Sequence, residues 1–165
     1  LAWLAALATG CENEEALGGG EATDEGGADE GGSTTDSFST LYAGYFSTCK
    51  VCHTPNAPGR TSETEQTLDF SSRSQAYNTI TQGTASGLTG NQEGCNGAPF
   101  IGDTAGESLI LAVVDEDTRA NFDLPSHPDC NADSISDMTL KVGNAPSSAF
   151  VQSLSAWIEA GAPNN

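Results

Sequence analysis

FSTLYAGYFSTCKVCH, residues 38–53, decides how this chain is read. Phe38, Leu41, Tyr42, Tyr45 and Phe46 recur at i, i+3, i+4, i+7 and i+8, which is one face of an amphipathic helix. Asp36 or Ser37 stands where an N-cap belongs, with a short side-chain oxygen to meet an amide of the first turn. The same count carries on to Cys49, Cys52 and His53. The core-facing stripe therefore runs straight into CKVCH, residues 49–53, and points three reactive side chains toward whatever the helix packs on.

Other stretches repeat the helical period. Ala76, Tyr77 and Ile80 share one side of a helix expected near 72–82. GESLILAVVDED, residues 106–117, reads as one apolar helix with most of its surface buried. The strongest pattern is PSSAFVQSLSAWIEAGAP, residues 146–163, where Phe150, Val151, Leu154, Trp157 and Ile158 line one face. Pro146 opens it, Gly161 suits its stop and Pro163 prevents continuation. No alternating strand pattern and no internal repeat stands out, and Gly, Asn and Pro punctuate the intervals. The expectation is a small all-α domain with long loops over residues 37–163.

The N-terminal part has a different character. LAWLAALATGC, residues 1–11, is an apolar run ending in small residues. It is too short to span a bilayer and resembles the end of a secretory signal. Its LATGC ending resembles a bacterial lipobox, with residues 1–10 as the leader remnant and Cys11 as the acylated residue. Acyl chains on Cys11 would hold the protein to a lipid bilayer. Residues 11–36 are dominated by Gly, Glu and Asp, with too little to bury to offset ordering entropy. They suit an extended tether. The chain carries 23 acidic against 5 basic residues, a net charge of −18. Such a balance excludes nucleic acid as a natural partner, because phosphate neutralisation needs Lys and Arg.

Three chemistries compete for CKVCH. Zinc needs four ligands, commonly from two residue pairs, and Cys95 and Cys130 form no second pair in sequence. A thioredoxin-type dithiol belongs between a strand and a helix, whereas here a helix precedes it and no αβ alternation follows. Covalent haem fits the spacing. Cys49 and Cys52, three apart on a helical turn, face the same way and can each form a thioether with one vinyl group, leaving His53 to reach the iron. Export agrees with this reading. With Cys11 assigned to lipid and Cys49 and Cys52 to haem, Cys95 and Cys130 remain as a disulfide in an oxidising compartment.

CKVCH after an amphipathic helix, together with the ending LSAWIEAGAP, resembles the cytochrome c domain of bacterial lipoprotein cytochromes of the planctomycete type, over residues 38–163. In that family a CxxCH is followed by a Ser-Leu-rich helix, a Met segment and a WIxxGA ending. These correspond here to Cys49–His53, GESLILAVV, SDMTL and AWIEAGA, with Thr139 after the Met where the family often has Pro. The resemblance implies a small helical fold around one covalent haem, with the first and last helices crossing. Gly44 and the Ala156–Trp157 pair are expected at that crossing.

His53 supplies one axial position on the iron. Met138 is the only methionine and lies in a loop before the last helix, where the resemblance expects the second ligand. His127, the only other histidine, is the alternative, and an open sixth position is the third. A thioether favours Fe(II), while a second imidazole lowers the potential.

The function expected is an exported, membrane-anchored, one-electron carrier with a single haem c, facing the periplasm or exterior of a bacterium. Its acidic surface would steer redox partner proteins with a basic docking face. A peroxidase-like haem enzyme, or a gas-binding module, is the alternative and needs the open sixth position.

Overall fold

The computed structural model describes residues 37–55, 57 and 68–165. The leader 1–10, Cys11 and the tether 11–36 lie outside the described residues. Helix α1 is continuous from Phe38 to Cys49. It is built from an α-helical turn, Phe38–Leu41, a π-helical stretch, Tyr42–Phe46, and a closing turn, Ser47–Cys49. Ser37 caps it, its hydroxyl accepting from the Thr40 amide at 3.2 Å. Phe38, Leu41, Tyr45 and Phe46 are buried as the apolar period predicts, and Tyr42 is half-buried.

Helix α2, Arg73–Gln82, starts after the Ser72 cap and buries Ala76 and Ile80. GESLILAVVDED is not one helix. A 3-10 turn, Ala105–Glu107, leads to α3, Leu109–Ala112, and the chain then breaks before α4, Glu116–Ala120. Local polar bonding explains the break. Asp115 turns its carboxylate onto the Thr118 amide and hydroxyl, at 2.8 and 2.7 Å, so it acts as a fresh N-cap rather than a mid-helix residue. The expected burial holds for the apolar part, since Leu109, Ile110, Leu111, Ala112 and Val114 are all in the core.

The segment around Met138 is a short helix, α5, Met138–Val142, and not the loop expected. Asp137 caps its start, and Gly143 ends it at φ +66°, a left-handed conformation that glycine adopts without a Cβ clash. The last helix, α6, is Ser148–Glu159, capped by Ser147. Pro146 sits one residue before that cap rather than inside the first turn. Gly161 at φ +83° turns the chain back, its amide bonded to the Ile158 carbonyl, so that the Trp157 indole N–H donates to the Pro163 carbonyl at 2.9 Å. The WIEAGAP ending therefore satisfies its own buried polar group.

Among the described residues there are no strands, only two isolated bridges, Thr84 with Pro99 and Asp123 with Asn131. The domain is helical with long loops, as expected. α1 packs on α6, and aromatic rings make the contact. Phe38 stands 5.1 Å from Trp157 and 5.3 Å from Tyr77, ring centre to ring centre, while Phe46 meets Phe150 edge-on at 5.4 Å. Gly44 is not at this contact. It is exposed, and a Cβ there would meet nothing within 4 Å. Ala156 is exposed as well, whereas Trp157 is fully buried. Large rings fill the space between the helices, so no small residue is needed there.

Candidate functional site

The site is built at the end of α1. Cys49 is the last residue of that helix, and the chain then tightens into turns. The amides of Cys52 and His53 both donate to the Cys49 carbonyl, at 3.2 and 2.8 Å. The three side chains of the motif are thereby gathered within one turn, all half-buried. The helical stripe read from the sequence reaches Cys49 as a helix and continues to His53 only as a turn.

Phe70 is the second wall. Its amide donates to the His53 carbonyl at 2.6 Å, and its ring lies 5.7 Å from the His53 ring and 5.7 Å from Phe46. The Tyr42 hydroxyl, one turn earlier on α1, donates to the Phe70 carbonyl at 2.8 Å. His53 is thus held through its backbone by a residue that α1 itself anchors. Its Nδ1 is buried.

Cys49 and Cys52 are not in a disulfide, whereas Cys95 and Cys130 are bonded to each other, S–S 2.03 Å, as the cysteine count predicts. Burial pushes the Cys49 thiol up to about 11. Burial disfavours the charged thiolate, which is the form needed for zinc ligation or thiol exchange. A neutral thioether carries no such penalty.

Met138 is half-buried, and its amide donates to the Val113 carbonyl at 2.9 Å, which fixes its backbone against the end of α3. Tyr45 links this region to the cysteines. Its hydroxyl donates to the Asn144 carbonyl at 3.0 Å, just past α5. The same hydroxyl is pushed up to about 12 by burial first, then by Cys49 and by Asp137. Tyr45 thus ties the helix that ends in Cys49 to the chain leaving α5.

Asp137 binds Arg119, Oδ2 to Nη2 at 2.8 Å. Burial raises its pKa, but the Thr139 hydroxyl and amide and the Arg119 guanidinium outweigh that and hold the carboxyl below its ordinary range.

His127 stands elsewhere in the connectivity. Its Nδ1 is 3.0 Å from the Ser126 hydroxyl, its carbonyl accepts from the Cys130 amide at 2.9 Å, and its Nε2 faces Gly97. It belongs to the loops that the disulfide joins.

The sequence reading named Cys49, Cys52, His53 and Met138 but not Phe70, Asn144 or Arg119 as their supports. Tyr45 was read only as a core position. The one sequence signal for Asp137 is a short acidic side chain of the type favoured at an N-cap. No protein-family model, curated protein or solved structure matches this chain.

Proposed function

We propose that this protein is a single-haem c-type cytochrome that carries one electron at a time while tethered to a membrane. The observation that carries the reading is the turn in which the Cys49 carbonyl accepts from both Cys52 and His53, holding two thiols and an imidazole in one turn, with the imidazole beside Phe70. The donor set fits the group. Cys49 and Cys52 would hold haem through two thioethers, and His53 and Met138 would ligate its iron. When bound, haem supplies a one-electron Fe(III)/Fe(II) couple. Within this reading the described residues form a cytochrome c-like domain.

The chain's own residues then have separable tasks. Phe70 packs its ring against the His53 imidazole, and Phe46 backs Phe70. Phe70 also restrains His53 through its amide. Tyr45 ties the Met138 segment to α1, which supports Met138 rather than His127 as the second ligand. Two protein ligands, His53 and Met138, would leave no open position on the iron, which favours electron transfer over catalysis.

Export and anchoring belong to the same proposal. The Cys95–Cys130 disulfide supports an oxidising compartment. Cys11 would carry the lipid, and residues 12–36 would give the domain reach from the membrane surface. The described domain is itself acidic, so partners with a basic docking face are favoured.

The deciding experiment is haem staining on a denaturing gel after expression with haem-attachment machinery. The wild type should stain. A Cys49→Ala, Cys52→Ala double variant should not, and staining of that variant would overturn the covalent-haem reading.

A further inference from the structure

Helix α5 is five residues long, Met138–Val142, and a helix that short has no stability of its own. Its place is set by what holds its ends. At its start, Asp137 commits both carboxylate oxygens. Oδ1 accepts from the Thr139 amide and hydroxyl, at 2.9 and 2.6 Å, and Oδ2 accepts from Arg119 Nη2 at 2.8 Å. The guanidinium is oriented in turn, its Nη1 donating to the Ala112 carbonyl at 3.2 Å. The pair is mostly shielded, with Arg119 14% and Asp137 24% exposed. Solvent screening is therefore weaker than for a surface pair. The Met138 amide adds a third tie, to the Val113 carbonyl. Apart from the cap on Thr139, these ties run to one unit, the α3–α4 hairpin.

We infer that Arg119 is a positioning residue for Met138, latching α5 to the α3–α4 hairpin through Asp137 so that the thioether stays at the sixth position of the iron. The inference rests on the reading of Met138 as that ligand. Arg119 would act on Met138 through the cap residue Asp137. The physical reason is effective concentration. A thioether is a weak ligand, and it outcompetes other donors only while its backbone is held nearby. Releasing the cap lets α5 move, and a free ligand in solution can then take the position.

The test uses the haem-loaded full chain as wild type and as Arg119→Ala, Arg119→Lys, Asp137→Asn and Met138→Ala variants. The readouts are the weak red ferric band of a methionine–iron bond and the affinity for added imidazole. Amide exchange at Thr139 in the haem-free chain is the third. Arg119→Ala should weaken the band, exchange Thr139 faster and bind imidazole on the order of tenfold more tightly, the effect of losing a shielded charge-assisted bond. Arg119→Lys should recover part of the loss, since an ammonium restores the charge without the fork. Should Arg119→Ala fail to fold, Asp137→Asn decides, because it keeps an oxygen for Thr139 while losing the charge. Wild-type imidazole affinity in both Arg119→Ala and Asp137→Asn would overturn the latch, and loss of the band in Met138→Ala would show that the ligand reading survives it. A wild type without the band, and equal to Met138→Ala in imidazole affinity, would sink both.

Discussion

Tyr45 donates its hydroxyl to the carbonyl of Asn144, 3.0 Å away across a separation of 99 residues. The bond joins the helix that ends in Cys49 to the chain that leaves the Met138 helix. It makes Tyr45 a strut as well as a core residue, with its ring 4.9 Å from Phe150 and its oxygen on the Met138 side.

Tyr45→Phe keeps the ring contact and removes only the bond. Loss of one partly buried hydrogen bond should lower the unfolding free energy by about 1 kcal/mol. Denaturant unfolding of the haem-free chain measures it, and an unchanged midpoint would show that the strut contributes nothing.

Trp157 is fully buried between Phe38 and Tyr77. Trp157→Ala should cost about 3–5 kcal/mol, because the cavity it leaves cannot close between packed rings. A thermal melt within a few degrees of the wild type would contradict the packing of α1 on α6.

Cys49 should alkylate slowly in the haem-free chain. A thiolate is the reacting form, and with the thiol pushed up to about 11 from 9.0 by burial its share at pH 8 is small. Two pH units correspond to about a hundredfold slower reaction than an ordinary thiol, rising steadily as pH climbs toward 11. Mass spectrometry of iodoacetamide-treated chain against time gives the rate. A rate equal to that of an unstructured cysteine peptide at pH 8 would contradict the burial.

Met138→Ala should leave haem attached, because Cys49, Cys52 and His53 are untouched. The potential should fall with loss of the thioether preference for Fe(II). Met138→His should also lower it while keeping six ligands, and His127→Ala should change neither spin state nor potential. Redox titration with ferric spectra checks all three, and the reverse pattern would make His127 the ligand.

Cys11→Ser should move the protein from washed membranes to the soluble fraction after export. The lipobox-like LATGC and the acidic tether motivate this. Retention of the variant in membranes would show that something other than acylation holds it.

The sequence alone determined whatever depends on near neighbours. The periods of α1, α2 and α6, the Ser37 cap, and the three-residue gap between Cys49 and Cys52 are all local quantities. A side chain three or four residues away lies one helical turn off wherever the helix ends up. The Cys95–Cys130 bond also followed, because few cysteines remained to choose from.

Tertiary structure decided most of the rest. One departure was local: GESLILAVVDED kept its apolar burial but lost its continuity because Asp115 caps Thr118, a bond that the apolar period does not register. Gly44 faces out, because rings rather than small residues fill the contact between α1 and α6. The supports of the site, Phe70 on His53, Tyr45 on Asn144 and Arg119 on Asp137, join residues 17, 99 and 18 positions apart. No periodicity spans such gaps. Each bond exists because the packed chain brought a donor and an acceptor together where water could no longer satisfy either one fully.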